Sequence, residues 1–399
     1  MSTLAPGRAL DALRRPLRRA AAVLAALALA ACQPMTPTAS GPQTGPLIDP
    51  AQPVQVALLV PAGSGNAEVE WLARSLANAG RMAAADAQGA RIDLRIYETG
   101  GNAETAVARA NEAVAAGARI IVGPLFAEET NAVGNAVRGR VNVLSYSNNA
   151  DIAGGNVFVL GNTFGNTADR LVSYGAQQGL RRFLVVSEND TAGQLGGAAI
   201  EGAIARNRAT MVGRTSHGLS RADMDAVAPQ IAQAARANNA QAIFLTANQG
   251  SVLPEITAAL AQVGLTGSAI QMMGLTRWDT PPERIGLAQL QNGWFTVPDL
   301  ARIAAFQGRY QAAFGERPHE LGSLAYDGVS AIAALVRDGR RNAVTTAGLT
   351  SGAGFAGVQG PFRLRSDGSI ERSLAVATLR GGQLVILDPA RRSFSGFGL

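Results

Sequence analysis

The side chains in this sequence that could do chemistry are hydroxyls, amides and carboxylates grouped where apolar runs end. Ser64 lies in Gly63-Ser64-Gly65, just past VQVALLVP. Glu128, Glu129 and Thr130 follow ARIIVGP, Ser145, Ser147 and Asn148 close VNVLSYS, and Asp190 follows RRFLVVSE. Ligands of open α/β sheets bind outside the carboxyl ends of the strands, so these residues are the candidate lining of a cleft. Their types suit hydrogen bonding rather than bond breaking. No G-x-S-x-G elbow presents a serine nucleophile. His217 and His319 have no ligand spacing around them, so no zinc site is expected. Gly63-Ser64-Gly65 lacks the continuation of a phosphate-cradling loop and reads as a tight strand-to-helix turn. The chain is therefore expected to bind without catalysing, and to use no cofactor and no metal. Each candidate also has a plain alternative use as a helix cap or turn residue.

The single cysteine, Cys32, raises a different chemistry. Arg8, Arg14, Arg15, Arg18 and Arg19 precede the apolar run Ala20–Ala31, and Leu29-Ala30-Ala31 stands directly before the thiol. A positive segment, a short apolar stretch and small residues make an export signal over residues 1–31. The run is shorter than the ~20 residues a spanning helix needs. Leu-Ala-Ala-Cys resembles the lipobox of bacterial lipoproteins, which implies cleavage before Cys32 and a lipid on its sulfur. That resemblance, with Gln33 rather than aspartate next to it, implies an anchor on the periplasmic side of the outer membrane. Residues 32–53, rich in Pro, Thr, Gly and Gln, read as a disordered tether.

Composition narrows the classes further. The formal charge is +6, and the five arginines and Asp11 of the first 31 residues account for +4 of it. The remaining basic residues are all arginine, scattered, with no aromatic platform among them, so nucleic acid is not an expected partner. With one cysteine there is no disulfide.

The elements that must position the candidates alternate regularly. Strand-length apolar runs at 54–61, 91–99, 118–124, 141–147 and 157–162 are separated by helical patterns, including Leu72, Leu76, Ala79 and Ala83 on one face and an Asn102-capped helix stopped by Gly117. The pattern restarts with strands at 181–188, 209–215, 242–248, 269–275 and 294–300. Further helices carry Leu171 and Tyr174; Met224, Val227 and Ile231; Leu253, Ile256 and Leu260; Phe306 and Tyr310; and Val329, Ile332 and Leu335. The chain closes on FRLRSDGS and a hairpin turning at Gly381-Gly382. Such alternation means parallel sheets covered on both faces, in two doubly wound lobes. Trp71, Trp278 and Trp294 are open to two uses, core or exposed anchor.

This layout, with VALLVPAGSG, RIIVGPLFAEETNAV, VNVLSYSNN and FQGRYQAAFGERPHELGSLAYDGV, resembles the type I periplasmic binding protein fold. The resemblance implies two lobes joined by three crossovers, expected near Thr163, Thr296 and Phe355. Lobe 1 would be 54–163 plus 296–354, and lobe 2 would be 164–295 plus 355–390. It also implies that Asp327, in LAYDG, lies near the cleft. Two families share the fold. One comprises branched-chain amino-acid-type solute receptors of ABC transporters. The other is the penicillin-binding protein activator family of LppC/LpoA-like lipoproteins.

The stretch VGPLFAEETNAV separates them. In the receptors, serines or threonines after this GP hold the substrate carboxylate at a helix start. Here the positions are Ala127, Glu128, Glu129 and Thr130, and two carboxylates there would occupy the helix dipole and repel an anion. Ser145-Tyr146-Ser147-Asn148-Asn149 replaces the receptors' SPAAT, and Ala192-Gly193 replaces a tyrosine-glycine pair. The resemblance to the activators implies a non-catalytic regulator of peptidoglycan synthesis whose partner is a penicillin-binding protein, a bifunctional synthase. The alternative is a lipid-anchored solute receptor with a small ligand in its cleft.

Overall fold

The computed structural model describes residues 45–247, 250 and 252–394. Cys32, the export signal and most of the expected tether lie outside the described residues.

The first sheet is wholly parallel. Its strands are β1 (Val54–Val60), β2 (Ile92–Glu98), β3 (Ile120–Val122), β4 (Asn142–Ser145) and β5 (Val157–Val159), in the order β2-β1-β3-β4-β5. Successive side chains of a strand point to opposite faces, and both faces here are apolar. Val56, Leu58 and Val60 enter one core, while Ala57 and Leu59 enter the other. Helices α2 (Ala103–Ala115) and α3 (Ala127–Ala136) cover the second face, the former through Ala106, Ala110 and Ala113. The first face carries α1 (Ala67–Asp86) and two helices from late in the chain, α8 (Leu300–Phe314) and α9 (Ser323–Arg337). The Asn66 and Asn102 side chains cap α1 and α2 as acceptors for otherwise unpaired first-turn N–H groups.

The second sheet repeats the order. Strands β6 (Arg182–Glu188), β7 (Thr210–His217), β8 (Ala242–Leu245), β9 (Gln271–Gly274) and β10 (Trp294–Val297) run parallel as β7-β6-β8-β9-β10. An antiparallel hairpin, β13 (Ala375–Arg380) and β14 (Gln383–Asp388), extends it past β10. Gly381 and Gly382 turn that hairpin at φ of 57° and 72°, the left-handed pair that a two-residue hairpin loop needs. Helices α4 (Phe164–Gln177) and α5 (Thr191–Arg206) cover one face, and α6 (Arg221–Ala237) and α7 (Val252–Gln262) the other. Trp278 is wholly buried, 6.2 Å from Phe295 in a parallel stack. Trp294 and Trp71 are half-buried, edge-on to Tyr174 and His319 respectively.

Three segments join the lobes: Leu160–Thr163 after β5, the link from Val297 to Leu300 after β10, and Ser373–Leu374 before β13. The third lies later than the expected Phe355. The short ribbon β11 (Phe362–Leu364) and β12 (Ile370–Arg372) turns its apolar side, with Phe355, into the first lobe's core, so 355–372 packs with lobe 1. The tether is also shorter than expected. Ile48 is buried in the same core and its N–H donates to the Arg341 carbonyl at 2.8 Å, because its side chain supplies an apolar anchor inside a polar stretch.

Candidate cleft at the shared strand edge

Both sheets have the strand order 2-1-3-4-5, whose switch point falls between the first and third strands. In such sheets the crevice for a ligand opens outside the carboxyl ends at that point. Segments one and two leave their sheets from the carboxyl ends of β5 and β10. The hinge therefore lies at the carboxyl edge of both sheets, the edge at which both switch points open.

The hinge is held by a buried hub. Asp327, on α9, is fully enclosed and pairs with Arg372, whose Nη1 lies 2.8 Å from Oδ2, while the Val358 N–H donates to Oδ1 at 2.6 Å. The same guanidinium donates to the carbonyls of Gly360 and Leu160, each at 3.2 Å, and lies over the Phe362 ring. Asn166 holds the backbone of Arg372 from both sides, accepting its N–H at 2.9 Å and donating to its carbonyl at 3.0 Å. Thr167 and Thr296 hydroxyls meet at 3.4 Å. Burial pushes the Asp327 carboxyl up, against the pull of Arg372 and the Val358 N–H. Asp327 is thus a hinge residue, enclosed away from the cleft where the resemblance implied it. Its α9 helix arrives at the crossings, and its side chain is consumed there.

On the lobe 1 side the structure brings Thr130, Ser145 and Ser147 together in one chain of bonds. Ser145 Oγ donates to the Pro124 carbonyl at 3.0 Å, lies 2.7 Å from Thr130 Oγ1 and accepts the Ser147 N–H at 3.1 Å. With its one proton directed at Pro124, Ser145 receives the Thr130 proton, and both hydroxyl protons are used. Ser147 Oγ accepts the Asn149 N–H at 3.1 Å, and its own proton has no acceptor among the described residues. Asn148 and Glu128 are exposed, without a side-chain hydrogen bond among the described residues. Ser64 is set apart: its hydroxyl and N–H both donate to Glu70 Oε1, at 3.0 and 2.7 Å, and Oγ accepts the Asn66 N–H. The Ser64 hydroxyl leads the bonds that hold the Glu70 carboxylate below its ordinary pKa.

Glu129 folds back on the start of α3. Its Oε2 accepts the Phe126 N–H at 3.3 Å, and Oε1 has no hydrogen-bond partner among the described residues. Burial pushes this carboxyl up. The neighbouring Thr99 side chain and the Phe126 N–H pull it down less strongly, and Glu128 adds to the rise.

On the lobe 2 side Asp190 caps α5, accepting the Gly193 N–H at 2.7 Å. A Cβ on Gly193 would collide with the Glu188 carbonyl, so the Ala192-Gly193 pair follows from a close helix-to-strand approach. The sequence did not point to Glu188, buried with its N–H on Thr246 Oγ1 at 3.0 Å, nor to His217. His217 Nδ1 meets the Gly218 carbonyl at 2.8 Å, Nε2 has no partner among the described residues, and burial lowers its pKa. Arg372 had a readable signal: it falls in phase with Ile370 and Leu374 on the buried side. No cluster of three or more metal-binding side chains and no membrane-length apolar helix occurs among the described residues.

The periplasmic binding protein family model matches residues 53–383. The chain belongs to that family. Solved structures agree on the fold. A putative branched-chain amino acid ABC transporter protein from Rhodospirillum rubrum superposes with a TM-score of 0.69 at 16% identity, over 84% of this chain and all of the other. An ABC transporter substrate-binding protein from Desulfitobacterium hafniense, in complex with Leu, gives 0.59 at 18% identity, over 84% of this chain and 100% of that one. A solute-binding protein from R. palustris, in complex with benzoate, gives 0.51 at 16% identity, over 85% and 98%. No curated protein matches the sequence. The type I fold with two lobes is therefore the fold of this protein. The narrower resemblance to penicillin-binding protein activators finds no counterpart among these relatives.

Proposed function

We propose that this protein is a non-catalytic periplasmic receptor that holds a small molecule between its lobes and presents it to a membrane partner of the ABC transporter kind. The observation that carries the reading is the shared carboxyl edge, where two switch points of the same order border one hinge. Family membership supports it, and so do relatives described with Leu and with benzoate. Lipid on Cys32 would keep the domain at a membrane surface. Thermal unfolding of the purified chain with a panel of amino acids, aromatic acids, amides and muropeptide fragments tests the reading. A ligand at 1,000 times its Kd adds about 4 kcal/mol, so a true ligand raises the midpoint by several degrees. A panel without any shift refutes the receptor.

A second reading has one observation in its favour. The hydroxyls that serve ligands in receptors are consumed here within the protein, and the helix start is acidic. These departures suit a regulator of peptidoglycan synthesis that binds a penicillin-binding protein on the outer-membrane side. Co-purification with a bifunctional synthase, together with a rise in its cross-linking rate, would favour that role over solute capture.

A further inference from the structure

Among the described residues six large apolar side chains are exposed: Leu47, Phe126, Leu195, Leu219, Leu300 and Ile386. Four of them follow the carboxyl ends of strands. Phe126 precedes α3 after β3, Leu195 lies in the second turn of α5 after β6, Leu219 follows β7, and Leu300 opens α8 after β10. Solitary exposed apolar residues need no explanation. A concentration at one edge of both sheets does.

Among the described residues of lobe 1 at that edge, few polar groups have a proton left to give. Thr130, Ser145 and Ser64 have their hydroxyl protons committed inside the protein, leaving the Ser147 proton, the Asn148 amide and the exposed Glu128. The start of α3, the natural seat for an anion, is filled by the Glu129 carboxyl, buried with one oxygen unpaired. A ligand carboxylate there would meet two acidic side chains and no free hydroxyl of Thr130 or Ser145.

We propose that the cleft takes an uncharged ligand with an apolar body, seated against Phe126 and Leu195 and fixed by one or two hydrogen bonds from Ser147 and Asn148. This rests on the cleft reading above and narrows its ligand class.

The test titrates the full chain with two fluorophores of one arylnaphthylamine body: uncharged N-phenyl-1-naphthylamine, and 1-anilinonaphthalene-8-sulfonate, which adds an anionic group. The uncharged probe is expected to bind saturably and about tenfold more tightly, the effect of about 1.4 kcal/mol of like-charge repulsion. Phe126→Ser and Leu195→Ser, at exposed positions that leave the core intact, should each weaken it about threefold or more through lost apolar contact. Ile386→Ser, equally exposed on the final hairpin, should not weaken it. Glu128→Gln should narrow the gap between the probes. Equal affinity for both probes, lost in Phe126→Ser, would overturn the uncharged class while leaving the cleft in place. Loss equal to that in Ile386→Ser would put the probe elsewhere and overturn the proposal. Absence of saturable binding by either probe would overturn it and count against the cleft as well.

Discussion

Replacing Asp327 tests whether the lobes are held by a buried ion pair or merely by packing. Asp327 and Arg372 are both fully enclosed, and the carboxylate takes two bonds, from Arg372 at 2.8 Å and from the Val358 N–H at 2.6 Å. Asp327→Asn keeps an acceptor for Val358 and removes the countercharge. The guanidinium is then left with the carbonyls of Gly360 and Leu160 at 3.2 Å, which cannot neutralise it, and its Nε has no acceptor among the described residues. Breaking such a pair from one side costs about 3–5 kcal/mol. Asp327→Ala also orphans the Val358 N–H, adding about 1–3 kcal/mol. Asp327→Asn with Arg372→Met removes both charges and should recover most of the loss, since an apolar replacement of a buried pair is often neutral. Urea unfolding followed by tryptophan fluorescence measures all four chains. Trp71 reports on the first lobe and Trp278 on the second, so a hub that joins them should move both signals together. A cost below about 1 kcal/mol for Asp327→Asn, the value of an exposed pair, would refute the reasoning.

Glu129 makes stability depend on pH. Its carboxyl titrates above 4.5 in the folded chain because burial disfavours the charge. Between the unfolded and folded values the native state holds the extra proton, so stability falls as pH rises through that window. Glu129→Gln should flatten this slope in denaturation curves taken from pH 4 to 8, and an unchanged slope would rule Glu129 out as its source. Thr130→Val should cost about 0.5–1.5 kcal/mol, one hydrogen bond to Ser145. Its ligand affinity should stay at the parent value, and a loss of binding without loss of stability would return the hydroxyl to the cleft. Gly293→Ala places a methyl group inside the Trp278 ring, with which a Cβ there collides. Overpacking of this kind costs about 1–3 kcal/mol, read as a lower thermal midpoint and a disturbed near-ultraviolet signal from that indole. Ile48→Ala should cost about 2–5 kcal/mol if 45–53 is docked rather than loose. A change under about 0.5 kcal/mol, the size of an ordinary surface substitution, would make that stretch part of the tether after all.

Both sheets were legible in the sequence because their inner strands are buried on two faces and appear as apolar runs, while the edge strands β2 and β7 are only partly buried and carry polar residues. Asn66 was not singled out as a cap, yet Asn102, Gly117 and Gly381-Gly382 marked their element ends through local backbone chemistry alone. Helix α5 left little periodic trace, because its buried face is built from Gly193, Gly196 and Gly197 as much as from Ile200 and Ile204. The ribbon at 362–372 was expected in lobe 2 and packs with lobe 1. Membership there is decided by which core Phe362, Leu364 and Ile370 enter, and periodicity carries no information on that.

The candidate site was legible in a more limited way. Position at a strand end can be read from sequence, and Thr130, Ser145 and Ser147 do lie together. Availability cannot be read, because it depends on where each proton goes once Pro124, Glu70 and the Arg372 guanidinium are in place. Asp327 shows the same limit more sharply. An aspartate flanked by apolar residues on a helix has one face to choose, and here the choice is the enclosed one, set by an arginine 45 positions away. Polar residues of this cleft therefore divide by proton accounting rather than by type. Those whose donors are consumed hold the fold in shape, and under the proposal above the few that remain, beside an apolar rim, would set what the cleft accepts.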